Sequence, residues 1–177
     1  IQKSEDYSDF ISNSTIKSDY PIEKINDAIN ITEKSYDSII NESEISVITV
    51  FDEYYPKKLN DMGNKKPLFL FVKGNMDALS KANMAVIGTR KPSKNSQIFE
   101  ENLVREVLKN SDRGIISGLA LGCDKIAHET TVGENKITIA VLPSGLNKIT
   151  PAKHKGLAEE IINNGGCLIS EYEPDKK

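Results

Sequence analysis

Two short segments of this sequence combine glycine with residues that bind anions. Each directly follows an apolar run; the first contains Gly88, Thr89, Arg90 and Lys91, and the second contains Ser117, Gly118, Ala120 and Gly122. Glycine lets the backbone approach a ligand closely, and consecutive N–H groups that lead into a helix attract negative charge. An arginine adds a planar pair of donors that matches two phosphate oxygens. The pattern predicts a phosphate-binding surface.

These segments do not match the common nucleotide-binding motifs. A dinucleotide site requires G-x-G-x-x-G where residues 88–93 read GTRKPS, and a Walker loop requires G-x-x-x-x-G-K-[ST] where residues 118–125 read GLALGCDK. The sequence shows no Ser–His–Asp order and no pair of carboxylates, and Cys123 and Cys167 lack metal-ligand spacing. We therefore expect a binding surface with no catalytic residue, no metal and no cofactor.

Alternating strands and helices must position the two segments. Apolar runs predict strands at 45–50, 68–75, 84–89, 114–118, 137–145 and 167–172, and amphipathic patterns predict helices at 94–110, 123–132 and 153–164. In the first helix, Phe99, Leu103 and Val107, with Val104 and Leu108 beside them, are expected to face the core, and the charged residues to lie opposite. This order predicts a Rossmann-like α/β fold, a parallel sheet flanked by helices on both faces. Ligands of such sheets bind at the carboxyl ends of the strands, where both segments lie, together with residues 143–145 and 170–172.

Composition divides the chain into two parts. Residues 1–44 are expected to form an acidic N-terminal helical segment, and residues 45–177 the Rossmann-like domain. The net charge is −6 for residues 1–45 and +3 for residues 46–177. A basic excess of this kind is compatible with nucleic acid. No apolar run is long enough to span a membrane and no signal peptide is visible, so a cytoplasmic protein is expected.

Several of these polar residues are also placed for ordinary structural roles. Arg90 is placed to form an ion pair with Asp124, and Asp124 to cap the helix that follows. His128, one turn into that helix, is expected to be packed and hydrogen-bonded rather than catalytic. Ser93 or Ser96 is positioned to cap the long helix predicted at 94–110. For Arg90 and Asp124, the structural and the anion-binding roles both stay open at this point.

The order and spacing of six segments resemble the DNA-processing protein A family, also called DprA or Smf. The segments are YP at 55–56 with Leu59, PLFLFVKGN at 67–75, VIGTR at 86–90, IISGLALGCDKIAH at 115–128, TIAVLPSGL at 138–146 and LISEY at 168–172. They cover roughly residues 45–173. The combination of GTR with a downstream SGLA-x-G-x-D-x-x-AH is specific to this family.

The resemblance implies a bacterial cytoplasmic protein that binds incoming single-stranded DNA during natural transformation and helps to load RecA onto it. Members of the family are dimers and are not enzymes. In them, the GTR arginine and the glycine turns line a positively charged pocket for the DNA backbone. Carried over by motif, the DNA-binding residues are Gly88, Thr89, Arg90, Ser117, Gly118, Ala120, Gly122 and Asp124; Lys91 and Lys125 are added here for their position and charge.

The sequence also departs from the pattern of the family. Asn147 replaces an acidic residue, Thr150-Pro151 replaces a Tyr-Pro pair, and Cys123 stands where an aliphatic residue is typical. The downstream segment with an Arg-Asn-Arg motif is absent, so the domain is expected to be incomplete at its C-terminus. In the family, that segment completes the sheet and the DNA pocket, and the surfaces for RecA and for dimer formation lie in the same portion.

Two other functions remain open for the same glycine-rich edge. One is a nucleotide-binding sensor, which would prefer a small nucleotide to a long strand. The other is a nucleotide phosphoribohydrolase of the LOG type, whose site resembles P-G-G-x-G-T-x-x-E. Residues 143–150 read PSGLNKIT and lack the second and third glycines and the glutamate of that site.

Overall fold

The computed structural model of the chain describes residues 44–177. The predicted N-terminal helical segment, apart from Glu44, lies outside the described residues. Among the described residues, no helix has the length and apolar character that a membrane span needs.

A six-stranded sheet forms the centre of the domain. Its strands are β1 (Ile45–Thr49), β2 (Phe69–Gly74), β3 (Asn83–Ala85), β4 (Gly114–Ser117), β5 (Thr138–Val141) and β6 (Cys167–Ser170). They lie side by side in the order β1-β2-β6-β5-β4-β3. The last four in the chain are parallel to one another, and β2 is antiparallel to both β1 and β6. The parallel part confirms the Rossmann-like α/β prediction and brings four strand ends to one edge.

Three α-helices follow strands of the parallel part: α1 (Lys94–Asn110), α2 (Cys123–Gly133) and α3 (Lys155–Asn163). Ser93 caps α1, because its side chain accepts a hydrogen bond from the N–H of Ser96. A short 3-10 turn at Ala152–His154 leads into α3, and Gly165, at a φ of 80°, lies just beyond its end. The predicted limits of α1 are confirmed, and those of α2 and α3 differ by one or two residues.

All four parallel strands end earlier than expected at the carboxyl edge, and two of them end four residues early. The strand predicted at 84–89 ends at Ala85, so residues 86–93 form a loop, although the N–H of Val86 still donates to the carbonyl of Ile116. The strand predicted at 137–145 ends at Val141. Apolar residues continue past the last ladder hydrogen bond in both cases, which is why an apolar run overestimates the strand.

The buried face of α1 differs from the prediction. Phe99 and Leu103 are 69% and 46% exposed, whereas Glu100, Val104 and Leu108 are buried. Residues 100, 104 and 108 repeat every four, as do 99 and 103, so the two stripes are neighbours on the helix surface. Packing against β4 and α2 selects the stripe that contains Glu100. The prediction is therefore confirmed for Val104 and Leu108 and wrong for Phe99 and Leu103, and the burial of Glu100 was not expected from the charged face.

The two faces of the sheet are covered unequally. All three helices pack on one face, and the short 3-10 segments at Lys57–Lys65 and Met76–Ser80 cover the other face near β1, β2 and β6. Beyond them, Ile87 and Val141 are 82% and 42% exposed. Successive right-handed crossovers that advance in one direction, from β3 to β6, return every helix on the same side. The prediction that both faces of the sheet are covered is therefore wrong for the part of the sheet around β3 and β4.

His128 is packed and hydrogen-bonded, as predicted. It is completely buried on α2, and its Nδ1 lies 2.7 Å from the hydroxyl of Thr138. That hydroxyl donates to the carbonyl of Ile115, so it accepts from the imidazole N–H. Burial lowers the pKa of His128 to about 4, against a smaller opposing effect of the Asp124 carboxylate. The folded protein therefore holds this imidazole neutral.

The neutral His128 predicts acid-sensitive stability. In the unfolded chain the imidazole takes up a proton near pH 6.5, but in the fold only near pH 4, so its contribution to stability is complete above pH 6.5 and is lost as the pH falls towards 4. The free energy of unfolding should fall by about 3 kcal/mol across this range. Urea unfolding between pH 7 and 4 measures it. The His128→Gln variant should show a smaller fall, and identical pH profiles for the two proteins would contradict the assignment.

Candidate nucleic-acid interface

The loop after β3 and the turn after β4 lie directly against each other at Gly122. This residue has a φ of 77°, and a Cβ atom there would lie 2.6 Å from the carbonyl carbon of Arg90 and closer still to the Thr89 oxygen. The next N–H, that of Cys123, donates to the Thr89 carbonyl over 3.1 Å. Only glycine has both the conformation and the space that this position needs. The contact brings Arg90 beside the amino end of α2.

Gly88, which directly precedes Thr89, also lets the loop after β3 pack closely against α2. A Cβ atom on Gly88 would lie 2.5 Å from the Cys123 sulfur and 2.7 Å from its Cβ. Gly88, Thr89, Arg90 and Lys91 are all exposed. The N–H of Lys91 donates to the Thr89 hydroxyl, which gives the loop a local turn. The loop therefore presents its two cations to solvent while its glycine packs against α2.

Asp124 neither pairs with Arg90 nor caps α2 in the described part of the chain. Its buried carboxylate accepts hydrogen bonds from the N–H groups of Gly118 and Ala120, at 3.1 and 3.2 Å. A Cβ on Gly118 would lie 2.8 Å from the same oxygen, so the glycine makes room for the carboxylate. The predicted anion donors Gly118 and Ala120 thus already serve an internal anion, which fixes the shape of the turn.

Further N–H donors at this edge belong to the start of α2. The N–H groups of Asp124 and Lys125 lie in the first turn, where a helix offers no carbonyl acceptor of its own, and Gly122 at the N-cap provides no side-chain acceptor. The positive end of the helix dipole adds to their attraction for an anion. Lys125 is half-buried, and its ammonium group pairs with Glu129 at 2.6 Å. Arg90, Lys91 and the amino end of α2 therefore form the candidate anion site.

Ser117 does not reach the surface of this site. It is buried, and its hydroxyl donates to the carbonyl of Val86 over 2.6 Å. The bond holds the start of the Gly88 loop against the end of β4. Ser117 was predicted as a DNA-binding residue, and the structure gives its hydroxyl a partner within the protein, so direct binding by Ser117 stays a prediction.

The third glycine turn, at Pro143–Gly145, is covered by the end of the chain. The N–H of Gly145 donates to the Lys176 carbonyl over 2.7 Å, and that of Asn147 to the Pro174 carbonyl over 2.9 Å. A Cβ on Gly145 would overlap the backbone of Glu173 and Pro174. Gly145 and Ser144 are buried as a result. The third turn is therefore covered by residues 173–176, whereas the Gly88 loop is exposed.

Glu100 is a feature of the site that the sequence analysis missed. It lies on α1 behind the Gly88 loop, is buried, and forms a hydrogen bond with the Cys123 thiol, while its Oε1 is buried without a partner. Burial raises the pKa of Glu100, and the nearby Asp124 carboxylate adds to the rise. Burial also raises the pKa of Cys123 to about 11, which makes it a poor nucleophile. No pattern marks a buried glutamate among the many charges of an amphipathic helix.

The described residues contain no cluster of three or more His, Cys, Asp or Glu side chains that could hold a metal ion. The chemistry available at the site is the binding of anionic oxygens by N–H donors and by Arg90 and Lys91.

Replacement of Gly122 tests the contact between the two segments. Gly122→Ala should lower the free energy of unfolding by roughly 2–4 kcal/mol, because an L-residue is strained at this φ and its Cβ overlaps the Arg90 backbone. Urea unfolding measures the change. Gly156→Ala is the matched control, since a Cβ there meets nothing within 4 Å; the helix position predicts a gain of about 0.5–1 kcal/mol. A Gly122→Ala protein as stable as wild type would contradict the contact.

Replacement of Glu100 tests its buried charge. Because the folded-state pKa lies above the ordinary 4.5, the contribution of Glu100 to stability is complete below pH 4.5 and is lost as the pH rises through the folded-state pKa. Glu100→Gln should therefore gain stability relative to wild type at pH 7.5 but not at pH 4. Urea unfolding at both pH values measures the difference. Glu159→Gln, at an exposed position on α3, should show no such gain; a constant difference for Glu100→Gln would contradict the interpretation.

Comparison with known proteins gives consistent results across sequence and structure. The sequence profile of the family described as DNA recombination-mediator protein A matches residues 46–177. The protein Smf of Escherichia coli K12 is 37% identical over 129 residues, which are 73% of this chain and 34% of that protein. The DNA processing protein DprA of Streptococcus pneumoniae is 33% identical over 129 residues, 73% of this chain and 44% of that protein. The chain thus spans less than half the length of these relatives.

Two solved structures share the fold. The X-ray structure of DprA from S. pneumoniae superposes with a TM-score of 0.71 at 30% identity, covering 84% of this chain and 50% of that one. A structure of DNA processing protein A from Helicobacter pylori, described for its single-stranded DNA binding mode, gives a TM-score of 0.63 at 32% identity, with 76% and 58% covered. The match extends through both glycine segments and the strands that carry them. This chain therefore belongs to the DNA recombination-mediator protein A family.

Proposed function

We propose that this chain binds single-stranded DNA through its phosphate backbone at the carboxyl edge of the parallel strands. The observation that carries the proposal is the contact of Gly122 with Thr89 and Arg90, which joins an exposed arginine to the amino end of α2. A phosphate at this point would accept hydrogen bonds from helix N–H groups and from the guanidinium together. The relative from H. pylori is described as binding single-stranded DNA.

Such contacts hold a strand without reading its bases. N–H groups and arginine at phosphates set position and affinity but carry no sequence information. Aromatic residues make up only 6% of the chain and tryptophan is absent, so stacking platforms for bases are scarce. We therefore expect similar affinity for oligonucleotides of different sequence and a strong dependence on salt.

The wider role that we propose is that of a recombination mediator in natural transformation. The strand bound at this edge would be passed to the recombinase RecA in the cytoplasm, and the working protein would be a homodimer without catalytic activity. The proposal rests on membership of the family. We further propose that the sheet of the whole protein is completed by a segment that follows Lys177.

The covered third turn favours a strand over a small nucleotide. A LOG-type hydrolase would use the turn at residues 143–145, where the backbone of Glu173 and Pro174 occupies the space next to Gly145. A strand that crosses the first two glycine segments does not need that turn. The titration described next distinguishes the DNA-binding protein, the nucleotide sensor and the hydrolase.

Titration of a fluorescent (dT)30 at about 50 and 200 mM salt tests the proposal. Wild type should bind with an affinity that falls steeply in salt, and Arg90→Ala should weaken binding about tenfold, as expected for one charge-assisted hydrogen bond of about 1.5 kcal/mol. The slope of log K against log salt should also decrease in magnitude by about 0.7 for one lost phosphate contact. Fluorescence anisotropy measures both quantities.

Arg113→Ala is the matched control for this experiment. Arg113 is an exposed arginine directly before β4, at the opposite edge of the sheet. Its loss should leave the affinity within about twofold of wild type. Equal losses in the two variants, or no salt-dependent binding by wild type, would contradict the proposal. Competition by dTMP stronger than by unlabelled (dT)30 would favour the sensor, and release of free base from a nucleoside monophosphate would favour the hydrolase.

A further inference from the structure

In the turn from Gly118 to Gly122, the Leu119 carbonyl is the group that Asp124 cannot bind. The Asp124 carboxylate accepts hydrogen bonds from the N–H groups of Gly118 and Ala120, the second of which belongs to the same peptide group as the Leu119 carbonyl, but a carboxylate has no hydrogen to donate to that carbonyl. Leu119 is completely buried and has a φ of 56°, a conformation that is rare for a residue with a side chain. A buried carbonyl at a strained residue needs a donor from elsewhere in the fold.

His154 supplies that donor from a distant part of the chain. It is 2% exposed at the end of the 3-10 turn before α3, and its Nδ1 lies 2.8 Å from the Leu119 oxygen. A carbonyl has no proton to give, so Nδ1 must carry the hydrogen and donate it. The bond spans 35 residues and connects the segment after β5 to the turn after β4.

We propose that His154 is a positioning residue for the anion site, acting through the Leu119 peptide. With its carbonyl bound, Leu119 keeps the positive φ that directs its two neighbouring N–H groups to Asp124. The same orientation sets the path of residues 120–122, and so the contact of Gly122 with the Arg90 loop. Without the donor, the peptide group between Leu119 and Ala120 is held at its N–H alone, by Asp124, and rotation of this peptide weakens the fit of the turn to Asp124 and to the Arg90 backbone.

The inference rests on the proposed function for its DNA readout, but it has a second readout that needs no DNA. Loss of the Leu119 bond should free the amides of Gly118 and Ala120, which donate to Asp124, for hydrogen exchange. Amides within β5 and β6 serve as the reference for global unfolding. A purely structural role of His154 would change all of these amides in proportion, whereas a positioning role changes the turn first.

Two substitutions separate the hydrogen bond from the volume of the side chain. In His154→Asn, the amide nitrogen is attached to the same carbon as Nδ1 of histidine and retains a donor. In His154→Leu, the volume is similar but the donor is lost. We expect His154→Leu to accelerate exchange at Gly118 and Ala120 by about tenfold relative to the reference amides and to weaken (dT)30 binding by a similar factor. His154→Asn should restore both to within about twofold of wild type.

Two results of this experiment would overturn the inference, and a third would separate it from the proposed function. If His154→Asn behaves like His154→Leu, the donor is not what matters and the inference is overturned. Acceleration that is equal at the turn and at the reference amides also overturns it. If exchange follows the expected pattern while wild type does not bind (dT)30, the positioning by His154 holds and the proposed function fails.

Discussion

The contact between Gly122 and the backbone of Thr89 and Arg90 is the constraint on which the candidate site depends. It joins two loops that follow neighbouring strands, and it is possible only because Gly122 has no side chain and a positive φ. Without it, the Arg90 loop and the amino end of α2 would be two separate surface features. With it, an arginine, a lysine and the N–H groups of the first turn of α2 lie together, which is the arrangement that the proposed phosphate site requires.

The groups around this contact show how a protein with a net charge of −3 can still present an anion site. The carboxylate of Asp124 is buried and used by internal N–H groups, and burial keeps His128 neutral. Glu100 remains as a buried carboxylate with an unpartnered oxygen behind the loop. In the proposed site, attraction for phosphate would therefore depend on directed N–H groups and on the exposed Arg90 and Lys91 rather than on a large positive potential of the whole protein.

The order of the strands explains where the candidate site lies. It also explains which features of the fold could not be predicted from the sequence. Three crossovers that advance from β3 to β6 place helices α1 to α3 on one face and the carboxyl ends of these four parallel strands on one edge. The period of the apolar residues was sufficient to predict which segments are strands and helices, and α1 has the predicted limits. The same period did not show that Phe99 and Leu103 are exposed while Glu100 is buried, because two adjacent stripes of α1 compete and only the neighbouring elements select one.

The sequence by itself determined the α/β class, the glycine segments, the cations at Arg90 and Lys91, and the resemblance to the family, because these depend on local spacing and residue type. Only the tertiary structure decided which polar groups face a ligand. It assigned the carboxylate of Asp124 to the turn, buried Ser117, and closed the Gly145 turn with the end of the chain. It also connected His154 to Leu119 across 35 residues. Hydrogen bonds between segments far apart in the chain leave no periodic trace in the sequence, so they are visible only in the folded protein.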